Sequence, residues 1–363
     1  MIWPPQQEAA LNAVAEWLKR GEPQLFRLFG YAGTGKTTLA KKIAEDVDGD
    51  VAFAAFTGKA ALVMRSKGCE DARTIHSLIY RRCETDSGEL SFVLNEDSAV
   101  ARSRLVIIDE CSMVDAELGR DLLSFGKPVL VLGDPGQLPP VKGGGFFTEA
   151  TPDVMLTDVH RQASDNPILR LSMLVREGKS LSLGSYGESQ VIKRKEIDPG
   201  MVTAADQLLV GLNRTRRSYN QRMRELFERT SAFPEAGDKI VCLKNNNAKG
   251  LLNGGIWLVK STAKTRKKKL LMNVISEDDL AAKPLRIGVL PEFFQGLEET
   301  LPPLVRRDSD EFDFGYALTV HKAQGSQWDQ VILFDESFAF REHRDRWLYS
   351  GITRASKQLT IVV

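Results

Sequence analysis

The chain has 363 residues, 42% of them hydrophobic, enough for a sizeable buried core and more than one ordinary domain. Its 49 Lys and Arg against 48 Asp and Glu leave a formal net charge of +1, which neither demands nor excludes a polyanionic partner. No apolar run approaches the ~20 residues of a membrane span, and Met1–Glu16 does not read as a leader peptide; Cys69, Cys83, Cys111 and Cys242 are scattered without a C-x-x-C pair, which argues against a zinc site or disulfide frame and for reduced cytosolic thiols.

In chain order, Trp3-Pro4-Pro5-Gln6-Gln7 leads into a helical pattern through Ala10, Leu11, Val14, Ala15 and Leu18, ended by Gly21-Glu22-Pro23. Leu25–Phe29 reads as a buried strand and Thr38–Asp46 as a helix. Between them Gly30, Gly35, Lys36 and Thr37 fill G-x-x-x-x-G-K-[ST]. Strand, glycine loop and helix in this register form a phosphate-binding loop. The loop N–H groups face the phosphates, and the helix N-terminus adds its positive dipole end. Gly30, Gly33, Thr34, Gly35, Lys36, Thr37 and Thr38 are the candidate contacts to ATP. Lys36 is expected to reach the β- and γ-phosphates, and Thr37 to hold Mg2+.

Val51–Phe56 is the next strand, with Thr57 capping a helix, and Thr74-Ile75-His76 precedes another helical patch. Arg81–Ala101 is polar and too short to add core. Asp86-Ser87-Gly88 inside it marks a small hairpin or loop insert. Leu105–Ile108 ends at Asp109-Glu110, and Pro128–Leu132 ends at Gly133-Asp134. Short, wholly apolar strands alternating with helices predict a parallel sheet covered on both faces, with Lys36, Thr57, Asp109 and Asp134 on one ligand edge. Asp109 suits Mg2+ and Glu110 suits activation of water. Gln137, in Gly133–Val141, is placed to touch the γ-phosphate or its attacking water.

Pro139-Pro140 and Gly143–Gly145 mark the expected seam to a second unit, with Leu156–Arg161, helix Pro167–Arg176, strand Gln207–Leu212 and helix Asn213–Glu228. Ala236–Asp310 changes style. Turn residues between short β runs predict a small antiparallel barrel, and the basic run Lys264–Lys269 is a solvated hairpin tip or a nucleic-acid contact. Phe314–Val320, Val331–Phe334 and Leu359–Val363 read as strands of the interrupted second α/β unit.

Tyr31–Thr37, Asp109–Met113, Gly133–Pro140, His321–Gly325 and Tyr349–Ala355 occur in an order that resembles the superfamily 1 DNA helicases of the RecD-like and Dda-like 5′→3′ branch, over effectively the whole chain. The resemblance implies an α/β fold of two RecA-like domains in tandem: residues 1–145, then 146–235 with 311–363. ATP would lie in the cleft between them. A hairpin at about 81–101 would act as a strand-separating pin, and an SH3-like barrel would be inserted over 236–310. Catalytic roles fall on Lys36, Glu110, Gln137 and the arginine fingers Arg161 and Arg354. Gln7 would read the adenine edge, Gln6 being one residue off, and Gly325 belongs with the nucleotide contacts. Thr57, Lys59 and His76 match the DNA strip of the first domain, and His321 and Lys322 that of the second, coupled to the nucleotide through Gln324 and Gly325. The expected activity is an ATP-dependent helicase or translocase, a monomer in a bacterial or phage-derived cytoplasm. It would act on single-stranded DNA and on single-strand/duplex junctions, with a replication or repair protein as a partner. A motor that does not unwind alone, or a nucleotide-dependent protein-binding regulator, are the alternatives. The pin is short and the N-terminal extension of longer relatives is absent, so unwinding is less firmly implied than ATP turnover.

Overall fold

The structure, a computed structural model, describes residues 3–84, 90–139, 145–158, 166–246, 249–266 and 268–363. The chain divides into two units, Met1–Arg176 and Glu177–Val363.

The first unit opens on helix Pro5–Arg20. It starts at proline, whose missing N–H costs nothing there, and stops at Gly21 in the left-handed region (φ 75°). Strands follow at β1 Leu25–Gly30, β2 Val51–Ala55, β3 Arg73–Thr74, β4 Tyr80–Glu84, β5 Leu90–Leu94, β6 Leu105–Asp109, β7 Val129–Gly133 and β8 Val154–Leu156. Six of them form one parallel sheet in the order β3-β2-β6-β7-β1-β8. β6 and β7 are buried along their whole length, as their unbroken apolar runs require. Successive residues alternate between the two faces. Val106, Ile108, Val129 and Val131 join one core cluster, and Leu105, Ile107, Leu130 and Leu132 the other.

Two expectations change here. β8 pairs in parallel with β1, and helix Pro167–Arg176 brings Leu169 against Gly33 of the phosphate loop. Residues beyond 145 therefore complete the first unit, and the chain passes to the second at Arg176–Glu177 rather than after residue 145. The insert between β3 and β6 is a hairpin, β4 paired with β5, whose residues 85–89 lie outside the described residues. Its base adds core despite its polarity. Tyr80 and Leu94 pack on the cluster around Ile79, and Val100 is fully buried in helix Ala99–Arg102, capped by Ser98.

The second unit carries β9 Gly184–Tyr186, β10 Ser189–Ile192, β11 Gln207–Val210, β12 Lys239–Cys242, β13 Ile256–Arg266, β14 Lys269–Ser276, β15 Leu285–Val289, β16 Phe312–Phe314, β17 Ala317–Thr319, β18 Trp328–Phe334 and β19 Ala355–Val362. Its main sheet runs β17-β11-β18-β19-β10-β9, parallel except for the β9–β10 pair. A second, antiparallel sheet runs β15-β14-β13-β12-β16, and a single bridge, Val289 to Asp310, joins β15 to the approach to β16. The basic run spans the β13–β14 turn, with Arg266 opposite Lys269. Phe314–Val320 is not one strand. The chain leaves the antiparallel sheet at Phe314 and enters the parallel sheet at Ala317. Gly315 sits where a Cβ would lie 2.8 Å from the Ile240 carbonyl carbon, so the crossover needs glycine. Among the described residues, no helix is long and apolar enough to cross a membrane.

Candidate nucleotide and nucleic-acid sites

In the first unit the candidate groups collect at the carboxyl edge of the parallel sheet. After β1 the loop turns through Gly33 (φ 79°) and Gly35 (φ 83°), conformations that glycine adopts without strain. A Cβ on Gly30 would lie 2.8 Å from that of Leu156, so the loop crosses close over β8. Buried Thr34 donates its hydroxyl to Tyr31 O at 2.8 Å, tightening the turn. Helix Lys36–Glu45 then begins, with Thr38 exposed in its first turn. Lys36 Nζ donates to Gly30 O at 2.6 Å and Tyr31 O at 3.0 Å, which lays the ammonium along the inside of the loop.

Two strands away, β6 delivers Asp109, 9% exposed. Thr37 Oγ1 donates to Asp109 Oδ2 at 3.1 Å, joining loop and acid. Glu110 follows with φ 52°, a left-handed conformation that is costly for a residue bearing a side chain, and its N–H donates to Asp109 Oδ1 at 2.8 Å. Gln137 is 7% exposed, its N–H donating to Asp134 O at 3.1 Å, and its side-chain Oε1 is buried with no hydrogen-bond partner among the described residues. Such an acceptor is costly to bury unless something claims it. Gln7 is buried, its amide donating to Thr34 O at 2.9 Å, whereas Gln6 ties the helix to Thr157 and Asp158 through three bonds of 2.8–3.0 Å. Arg161 lies outside the described residues.

On the same edge, Thr57 Oγ1 accepts from Ala60 N at 3.1 Å and caps helix Gly58–Ser66, a contact worth about 1 kcal/mol. Lys59 is half-buried in its first turn. His76 has an exposed edge between the rings of Phe56 (6.1 Å) and Tyr80 (5.9 Å). Loss of solvent there pushes its pKa below the ordinary value, against the opposing pull of Asp115.

In the second unit, Thr319 at the end of β17 starts a tight turn through Ala323 and Ser326, with Gly325 at φ 77°. His321 packs on Phe340 at 5.4 Å. Burial, then neighbouring His343, lowers its pKa. Lys322 keeps an exposed surface. Desolvation and then Arg216 push its ammonium below the usual lysine range. Gln324 is buried. Arg354 is 5% exposed and donates to Ser350 O (3.0 Å), Ser326 O (3.2 Å) and Thr353 Oγ1 (3.2 Å), so its guanidinium is braced against the turn that carries Gln324 and Gly325.

Sequence reasoning missed Arg176, whose guanidinium lies 3.7 Å over the Tyr31 ring of the phosphate loop. A pair so far apart in the chain leaves no periodic or spacing signal.

The family model described as an AAA domain matches residues 4–196, more than half the chain, and one described as a UvrD-like helicase C-terminal domain matches 314–362. The chain is 30% identical to the ATP-dependent RecD2 DNA helicase of Deinococcus radiodurans, over 92% of this chain and 46% of that protein. It is 33% identical to the ATP-dependent DNA helicase dda of Enterobacteria phage T4, over 48% of this chain and 42% of that one. It thus spans less than half the length of these curated relatives. A Pif1 helicase solved in work on unwinding of forked duplex DNA shares the fold at TM-score 0.61 and 18% identity, covering 99% of this chain and 92% of that one. A Bacteroides Pif1 helicase in complex with ADP-AlF3 and ssDNA does so at TM-score 0.59, again at 18% identity, covering 99% and 92%.

Proposed function

This chain belongs to the AAA-domain family, and on that premise we propose that it is a member of the RecD-like and Dda-like branch of superfamily 1, an ATP-dependent motor that moves 5′→3′ along single-stranded DNA and separates duplex. The observation that carries the reading is the closure of the phosphate loop on the acidic strand, Thr37 Oγ1 to Asp109 Oδ2 at 3.1 Å, with Glu110 next in the chain. Two hard oxygen donors this close suit Mg2+, which usually takes one or two protein oxygens and completes its shell with water and phosphate. When bound there, Mg2+ would neutralise charge on the β- and γ-phosphate oxygens.

The chain's own groups do the rest. Lys36 exchanges the carbonyls of Gly30 and Tyr31 for phosphate oxygens. Glu110 takes a proton from the attacking water, and Gln137 Oε1, which has no partner among the described residues, accepts from the same water or from its shell. Gln7 reads the adenine edge, and Gly30, Gly33, Thr34, Gly35 and Thr38 line the loop. Arg161 and Arg354 supply cations to the γ-phosphate, because arginine stays charged and offers a fork of donors. Thr57, Lys59 and His76 in one unit, and His321 and Lys322 in the other, contact DNA phosphates and carry no sequence reading. The Arg354–Ser326 bond supports a link from Gln324 and Gly325 to the nucleotide. In this reading the two parallel-sheet units are RecA-like cores, the β4–β5 hairpin is the pin, and the antiparallel sheet is an SH3-like insert. The DNA partner is a single-strand/duplex junction, and the motor is a monomer that serves a replication or repair assembly.

ATP turnover measured with and without single-stranded DNA tests the motor, and duplexes with 5′ or 3′ tails test polarity. DNA-stimulated turnover with unwinding of the 5′-tailed substrate is expected. Equal turnover with and without DNA would overturn the motor reading in favour of a nucleotide-dependent regulator.

A further inference from the structure

One residue in the first unit touches three elements that the motor must coordinate. Tyr80 closes helix Ile75–Ile79, donating its own N–H to His76 O, and is also the first residue of β4. No spacer separates the helix that bears His76 from the hairpin. The Tyr80 ring lies 5.9 Å from the His76 ring, which lies 6.1 Å from Phe56, the neighbour of Thr57. The phenol donates to Asp121 Oδ2 at 2.5 Å.

Asp121 sits on helix Ala116–Leu123, the first full helix after Asp109-Glu110 and the short Cys111–Met113 turn. That helix is held firmly. Asp115 caps it through Leu118 N at 2.9 Å, and Leu118 and Leu122 are buried in the sheet core. Across the hairpin base, Leu94 pairs with Tyr80 and Asn95 N donates to Ile79 O at 2.8 Å. Beyond this base, among the described residues, Phe92 is 64% exposed, so its ring does not help to hold the hairpin.

We propose that Tyr80 is a positioning residue for strand separation, and that its hydroxyl bond to Asp121 fixes the hairpin base to the element that follows the Asp109-Glu110 acid pair. A short charge-assisted bond from a phenol to a carboxylate is among the stronger side-chain contacts. Burial, then the Asp121 bond, raises the Tyr80 pKa, so the phenol stays a donor across the working pH range. A hairpin free to tilt at its base would yield to the duplex as DNA is drawn past. A braced one turns the same movement into separation of the strands. Tyr80 touches no reacting atom, so its loss should leave hydrolysis intact.

The inference rests on the motor reading above, and the test separates the two. Tyr80→Phe keeps the ring against His76 and deletes the hydroxyl. It should keep DNA affinity and DNA-stimulated ATP turnover within about twofold, while unwinding of a tailed duplex falls about tenfold and hydrogen exchange of the β4 and β5 amides speeds up severalfold. Asp121→Ala should match it, Asp121→Asn should largely rescue by offering an amide oxygen to the phenol, and the Tyr80→Phe/Asp121→Ala pair should be no worse than either alone. Unwinding at the parent rate with unchanged hairpin exchange would overturn the inference. So would turnover and unwinding falling in equal proportion, the mark of general destabilisation. A parent protein without DNA-stimulated turnover would overturn the motor reading instead. The exchange comparison would still show whether the Tyr80–Asp121 bond braces the hairpin.

Discussion

In the proposed mechanism Lys36 and Glu110 act on one nucleotide by different means, so their removal should separate binding from hydrolysis. Lys36→Ala deletes the cation lying along the phosphate loop and should weaken nucleotide binding and abolish turnover. Glu110→Gln leaves Thr37 and Asp109 joined. It should keep nucleotide affinity within a few fold while turnover drops by at least ~10²-fold, the usual scale for losing a positioned general base. Equilibrium binding of a fluorescent nucleotide beside a phosphate-release assay checks both. The histidines make a second prediction. Burial holds the pKa of His76 and His321 below the ordinary 6.5, so near pH 7 they serve as hydrogen-bonding groups rather than cations. A depressed histidine pKa means that the unfolded chain binds protons more readily. The stability contribution is complete above 6.5 and is lost as pH falls from there through the lower folded-state pKa. Thermal unfolding should therefore shift to lower temperature between pH 7.5 and 5.5, and His321→Gln should shrink the shift.

At the scale of the element, the hairpin has a packed base, while Phe92 and Val93, among its described residues, are exposed. Leu94 belongs to the core around Ile79, so a replacement meant to test the hairpin should stop before it. A short Gly-Ser turn in place of Cys83–Val93 should spare DNA-stimulated turnover and translocation but abolish or greatly reduce unwinding. Opening duplex costs about 1.4 kcal/mol per base-pair step in stacking, and ATP supplies that energy whether or not a hairpin directs it. A tailed-duplex assay run beside translocation on single strands checks this. If the shortened protein unwinds as fast as its parent, some other element divides the strands. The phosphate loop shows the same division of labour: glycines set its path, while helix Pro167–Arg176 braces it through Leu169 and through Arg176 on Tyr31.

Across the whole chain the charges nearly cancel, so net charge by itself does not draw DNA in. On the proposed reading, affinity for single strands would come from local cations such as Lys59 and Lys322 and from stacking. The logarithm of the binding constant should therefore fall linearly with that of salt, with a slope of about −0.7 per phosphate contact and little dependence on base sequence. Fluorescence anisotropy with mixed-sequence oligonucleotides over a salt series checks it. Salt-independent binding, or strong preference for one short sequence, would point to a recognition module.

Local chemistry alone determined much of this protein. G-x-x-x-x-G-K-T needs only a strand, a tight turn and a helix in sequence to make a phosphate loop, and the runs before Asp109 and Asp134 are apolar throughout because both faces of their strands are covered. The Thr57 cap was legible for the same reason, since donor and acceptor lie three residues apart. What only the tertiary structure decided involves partners distant in the chain. The apolar run Phe314–Val320 gives no hint that it divides between two sheets, because the reason is the Ile240 backbone pressing on Gly315. The first unit reaches Arg176 because β8 pairs with β1 from more than a hundred residues away, which outweighs the proline and glycine punctuation near residue 140. Tyr80 and Asp121, and Tyr31 and Arg176, are ordinary residues in their own segments. Each pair acquires its role from the sheet that brings its two ends together.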